Sequence, residues 1–154
     1  MLETKVVRYG LVGLLTILLA ACGGAKHGQL KADLAAGEAL NPDPSGRNSP
    51  VYFYVFQLKT GGPFESADFY SLYQSPETVL GGDLLARKEY LIRAKQRIPL
   101  NTKLDPETAY LGFLAAFRDL DHSVWRAGLP VRPGKTTKLQ VQLEGINVSI
   151  DNGQ

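Results

Sequence analysis

The chain has 154 residues, 44% hydrophobic and 21% charged, a composition that fits one globular domain and leaves too little length for two cores. Its formal charge of +2 comes from 17 basic and 15 acidic residues with no basic run, which argues against a nucleic-acid partner. The only cysteine is Cys22, so the domain holds no internal disulfide and no cysteine-based metal site, and its stability must come from packing.

The N-terminus reads as charge, then an apolar run, then small residues. Lys5 and Arg8 outweigh Glu3, Leu11–Leu19 is apolar, and Ala20-Ala21 offer little bulk, which predicts a signal peptide over residues 1–21. A transmembrane helix needs about 20 apolar residues, and this run ends at Cys22, followed by Gly23-Gly24-Ala25-Lys26. Leu19-Ala20-Ala21-Cys22 resembles the lipobox of bacterial lipoproteins, in which the cysteine sulfur takes a diacylglycerol. A buried thiol or a nucleophile is the other reading of a lone cysteine, and the preceding apolar run disfavours both. Two acyl chains already anchor stably at about 0.8 kcal/mol per buried methylene. Gly23 stands where an inner-membrane lipoprotein typically carries Asp, so the resemblance implies the outer membrane. Residues 22–29 are expected as a lipidated tether and 30–152 as the folded domain.

Alternation with period two dominates from there. Leu30, Ala32 and Leu34 share one face of a first strand, and residues 37–50 read as a long proline-rich loop of the kind that is often functional. Val51–Leu58 is aromatic and β-branched and reads as a strand buried on both faces. Ser66 is a candidate N-cap for a helix with Phe69, Leu72 and Tyr73 on one face. Ser75-Pro76-Glu77 restarts a turn and Gly81-Gly82 ends it. Residues 84–92 give a weaker strand, and 95–104 another with Pro99 at an edge or bulge. Tyr110–Arg118 is the most apolar strand, 123–127 around Trp125 a short one, and 138–144 the clearest alternation. The break at Gly145 suits a bulge or tight turn before Ile146, Val148 and Ile150. Seven or eight short strands with one helical insertion predict an all-β two-sheet β-sandwich.

Catalytic residue types are sparse, and no enzyme, metal or cofactor is expected. Asp121-His122-Ser123 places the members of a triad side by side, where adjacent side chains do not face one another, so a solvated turn is the expectation. Trp125, Tyr52, Tyr54, Tyr70 and Tyr73 are expected in the core rather than on a recognition surface. Arg118 and Asp119 are expected to form a local ion pair.

An ordered set of short motifs carries a stronger signal. Leu40-Asn41-Pro42-Asp43, Gly46-Arg47, Ser49-Pro50-Val51 and Phe56-Gln57-Leu58 are followed by Phe64, Ala67-Asp68-Phe69 and Leu72-Tyr73. Leu80-Gly81-Gly82-Asp83-Leu84, Tyr110-Leu111-Gly112, Ala115-Ala116-Phe117-Arg118-Asp119 and Trp125-Arg126 complete it. Together they resemble the TssJ-type outer-membrane lipoprotein of the type VI secretion system, over about residues 30–150. The resemblance implies a transthyretin-like β-sandwich with a small helical insertion. It implies a lipoprotein that faces the periplasm and holds the periplasmic domain of a TssM (IcmF-like) inner-membrane subunit against the outer membrane. It also implies partner contacts at Asn41, Pro42, Asp43, Gly46 and Arg47, while the residues themselves allow Asn41 and Asp43 to be turn caps. Excising 41–50 is expected to abolish binding without unfolding the domain. The competing reading is a generic outer-membrane lipoprotein with a small-ligand pocket between its sheets.

Overall fold

The computed structural model describes residues 26–152, so the signal peptide expected over 1–21, Cys22 and residues 23–25 lie outside the described residues. The first strand, β1 (Gln29–Leu40), begins one residue before the expected domain start and runs through Gly37–Leu40, which the sequence places in a loop. Its backbone explains the extension: Leu40 pairs with Gly145 across an irregularity, after Ala36 pairs with Leu143. β2 (Val51–Leu58) follows, then α1 (Gly62–Ser66), α2 (Phe69–Gln74), α3 (Pro76–Leu80) and a 3₁₀ turn at Gly81–Asp83. The remaining strands are β3 (Leu84–Ile92), β4 (Arg97–Pro99), β5 (Thr102–Lys103), β6 (Tyr110–Ala115), β7 (Arg126–Pro130), β8 (Thr136–Gly145) and β9 (Asn147–Asp151).

Two sheets result. The first has the order β4-β1-β8-β9 with β5 also on β1, and the second has the order β3-β2-β6-β7. Pro99 sits on the short edge strand β4, where a missing N–H is tolerated. β1 runs parallel to β8, and all the other pairings of named strands are antiparallel. Glu144 pairs with Asn147 and Gly145 has φ +59°, so the break at Gly145 is a tight turn that supplies the left-handed residue a two-residue hairpin needs.

Alternation sends Leu30, Leu34, Val141 and Leu143 inward from the first sheet, against Phe53, Leu111 and Phe113 of the second. The rings of Phe53 and Phe113 stack with centroids 6.0 Å apart. β2 is buried on its other face too, as expected, because the helical insertion lays Phe64, Phe69, Leu72 and Leu80 over Tyr54, Phe56 and Leu58. Only glycine fits at position 112, since a Cβ there meets the Phe64 ring at 2.7 Å. The cap of α2 is Asp68, not Ser66: the Asp68 carboxylate accepts from the Ser71 N–H at 3.0 Å, while the Ser66 hydroxyl donates to the Gly62 carbonyl. Arg126 fastens the insertion, donating from one guanidinium nitrogen to the carbonyls of Phe64 at 3.1 Å and Ala67 at 2.7 Å.

The short strand expected around Trp125 lies at 126–130 instead. Val124 leaves the second sheet and bridges to Asn147 of the first, and Trp125 packs edge-on against Phe69. The aromatic expectation divides: Tyr54 is buried and Tyr73 packs beside it, but Tyr52 and Tyr70 are 45% and 61% exposed.

Candidate functional site

The chain's two landmarks lie at opposite ends of β1. At one end Gln29 faces Lys103 and Thr136, and at the other Leu40 leads into the loop 41–50. Twelve extended residues separate them by roughly 36 Å.

Asn41 turns the chain out of the sheet. It has φ +48°, a left-handed conformation that Asn tolerates better than most residues. It is 4% exposed, and its side chain donates to the Pro50 carbonyl at 3.2 Å and accepts from the Arg118 N–H at 2.8 Å. Asn48 completes the strand's hydrogen bonding from the far side of the loop, accepting from the Leu40 N–H at 2.9 Å and donating to the Glu38 carbonyl at 2.8 Å. Asn48 was not singled out in the sequence; an Asn inside a Pro/Gly/Ser-rich stretch was the available signal.

Asp43-Pro44-Ser45-Gly46 places Asp, Pro and Gly at the turn positions each favours, and the Gly46 N–H donates to the Asp43 carbonyl at 2.8 Å. The Asp43 carboxylate accepts from the N–H groups of Ser45 at 2.8 Å and Arg47 at 3.0 Å, and from Arg47 Nε at 2.8 Å. The Arg47 backbone and guanidinium together hold the Asp43 carboxyl below its ordinary 3.8. With the folded value depressed, the contribution of this pair is present above about pH 3.8 and is lost as pH falls through the lower value. Gly46, with φ +78°, closes the turn. The loop is therefore preorganised. Asn41 lies beneath it, Pro42 and Asp43 are half-buried, and Gly46 and the Arg47 side chain, the latter 81% exposed, form its outer surface with Pro44 and Ser45. Excising all of 41–50 removes the buried Asn41 bonds as well, so the deletion is expected to destabilise the domain in addition to removing the loop.

Asp121-His122-Ser123 is a turn. His122 Nδ1 meets the Asp119 carboxylate at 2.9 and 3.0 Å, and the Ser123 hydroxyl donates to the Leu120 carbonyl. Asp119 therefore pairs with His122, and the ion pair expected with Arg118 is not formed. The hydrogen bond to Asp119 raises the His122 pKa above its ordinary 6.5. A raised folded value means that this contribution is complete below pH 6.5 and is lost as pH rises from there through the raised folded value. In an NMR titration the His122 ring protons are expected to move at a pH above 6.5, returning towards the ordinary value in Asp119→Asn. An unshifted midpoint in the unmutated chain would contradict the pair.

Among the described residues no group of three or more His, Cys, Asp and Glu is placed to hold a metal ion. The space between the sheets is filled by the Phe53, Phe113 and Leu34 side chains. Depressions of about 440 and 470 Å³ lie instead against the outer face and end of the first sheet, lined among others by Lys31, Asn101, Lys103 and Lys138. Gln57, a polar residue in an apolar strand, is buried and spent internally on the Lys103 carbonyl, the Asp105 N–H and the Thr108 hydroxyl.

Residues 28–146 match a family model described as "Type VI secretion lipoprotein, VasD, EvfM, TssJ". The crystal structure of the T6SS lipoprotein TssJ1 from Pseudomonas aeruginosa is similar at 33% identity and TM-score 0.77, over 80% of this chain and 94% of that one. A chain of the structure described as the T6SS protein TssM C-terminal domain from EAEC matches at 25% identity and TM-score 0.67, over 79% of this chain and 96% of that one. A chain of a type VI membrane complex matches at 26% identity and TM-score 0.69, over 82% and 98%. No curated protein gives a significant match.

Proposed function

This chain belongs to the TssJ family of type VI secretion lipoproteins, and on that premise we propose that it ties the periplasmic end of a TssM-type inner-membrane subunit to the outer membrane. Cys22 carries the acyl chains, residues 23–28 are the lead-in, and the sandwich is a rigid, non-enzymatic spacer that faces the periplasm. The loop 41–50 meets the partner. The observation that carries this reading is the polarity of β1, whose start lies seven residues after Cys22 and whose end is the preorganised loop. A loop already held by Asp43 and Asn41 loses little conformational freedom on docking. Support for the partner's identity comes from the similar chain in the structure described by a TssM C-terminal domain.

Within this reading, Pro42, Asp43, Gly46 and Arg47 shape the contact surface and Asn41 supports it from below. Capture of the mature chain by the periplasmic region of the TssM-type subunit tests it. Arg47→Ala, which removes an exposed guanidinium without touching the core, is expected to weaken capture at least tenfold, as for an interfacial arginine worth about 1.4 kcal/mol or more. Unchanged affinity in a folded Arg47→Ala chain would remove the loop from the interface.

Anchoring has its own test. Cys22→Ser is expected to abolish palmitate labelling and to let a high-salt wash release the protein from membranes that retain the unmutated chain. Sedimentation of Cys22→Ser with outer membranes after that wash would assign the attachment elsewhere.

A further inference from the structure

We propose that the pole where β1 begins is a second, electrostatic membrane contact, which seats on the anionic phospholipid headgroups of the leaflet that holds the acyl chains. The inference rests on the reading of Cys22 as the lipid anchor, and goes beyond it by giving the domain a membrane-facing surface.

Six cations gather around the point where the chain leaves towards Cys22. Lys31 and Lys138 are register partners on the outer face of the first sheet, and Lys103 lies opposite Gln29. Arg132 and Lys135 belong to the turn before β8, on which residues 26–28 rest. The Gln29 N–H donates to the Lys135 carbonyl at 3.2 Å, and a Cβ on Gly28 would come within 2.6 Å of that same oxygen. Lys26 lies against Gly134 of this turn, and His27 Nδ1 meets the Leu104 carbonyl at 3.1 Å, which fixes the exit.

All six cations are exposed, and none forms an ion pair among the described residues. Elsewhere Arg47, Lys59 and Lys95 are each paired with a carboxylate, and Lys88, Arg93, Arg97 and Arg118 are exposed without an ion pair among the described residues, so what sets the cluster apart is its gathering at the chain's exit. Asp33 and Asp151 line the same depression as Lys31 and Lys138, and Asp105 follows Lys103 by two residues, so the six cations outnumber these three acids. Lysines directly abreast in a sheet repel one another, a cost that an opposing anionic surface offsets.

Tether length keeps that surface close. Four peptide steps separate Cys22 from Lys26, so Lys26, where the cationic pole begins, stays within about 14 Å of the lipidated residue. The screening length is about 8 Å at physiological ionic strength, so the headgroup charge reaches the pole whenever the tether is less than fully extended. Seating this pole on the membrane points the other end of β1 away from it, into the periplasm.

The test uses the mature chain with Cys22→Ser, which carries no acyl group but keeps every residue of both sheets. It is expected to co-sediment with vesicles of phosphatidylcholine containing phosphatidylglycerol, in a salt-sensitive manner, and not with phosphatidylcholine alone. With each lysine near an anionic surface worth about fivefold in partitioning, Lys31→Gln with Lys138→Gln is expected to weaken binding roughly twenty-fivefold. Both positions are exposed strand residues, so circular dichroism is expected to be unchanged. Equal binding to the two vesicle types, or a double variant that binds as tightly as the parent, would overturn the proposal. So would lysine-dependent binding to isolated peptidoglycan without binding to the anionic vesicles. Absence of palmitate labelling in the unmutated chain, alongside vesicle binding by Cys22→Ser, would count against the anchor alone, so the two readings fail separately.

Discussion

Replacing Asn41 with alanine is expected to destabilise the fold by about 2–4 kcal/mol, a large effect for a loop residue. The side chain's two hydrogen bonds reach the Pro50 carbonyl and the Arg118 N–H, joining the exit of β1 to the entry of β2 and to the segment after β6. Alanine leaves those groups without their partners and must adopt φ +48°, which costs it more than it costs Asn. Asn41→Gly separates the two causes, because glycine accepts the backbone angle but makes neither bond. Urea unfolding of both variants measures the result. If Asn41→Ala costs less than about 1 kcal/mol, the buried amide is not what holds the loop. If Asn41→Gly is as stable as the parent, backbone strain is the whole effect.

Phe64→Ala is expected to cost about 3–5 kcal/mol, as large-to-small changes in a filled core do. Phe64 is 1% exposed, lies 5.3 Å from the Phe56 ring, and is the side chain that requires glycine at position 112. The loss is expected to be local in character: the helical insertion loosens over the second sheet while the inter-sheet core at Phe53 and Phe113 persists. Proteolysis between residues 59 and 84 at temperatures where the rest of the chain resists cleavage is the signature. Single-step unfolding with no such cleavage would show instead that the insertion and the sandwich form one cooperative unit.

The sequence predicts the elements whose faces differ most. Leu139, Val141 and Leu143 against Lys138, Gln140 and Gln142 make an unambiguous period of two, and the aromatic run of β2 signals burial on both sides. Gly37–Ala39 carries no such pattern. It extends β1 because of backbone partners that lie far away in the chain, and a local window does not contain Gly145 or Asn48. Val124 and Trp125 fail for the opposite reason: both are apolar and read as strand, yet one crosses to the other sheet and the other packs under α2. Ser66 and Asp68 are both competent caps two residues apart, and only the carboxylate's reach to Ser71 decides between them. Within the loop, Asp43, Gly46 and Arg47 are legible as a turn. That Asn41 is buried is not, because its partner is the backbone of Arg118, 77 residues away.

The parallel pairing of β1 with β8 has a mechanical consequence. Tension applied between the chain's exit at Lys26 and the loop at Asn41 acts along the length of β1. The hydrogen bonds that hold this strand to β8 on one side, and to β4 and β5 on the other, run across that line. They are loaded together in shear, whereas an edge strand peeled from its end gives up its bonds singly. The strand that joins the two ends of the molecule is thus also its tensile member, flanked on both sides where a pull would act.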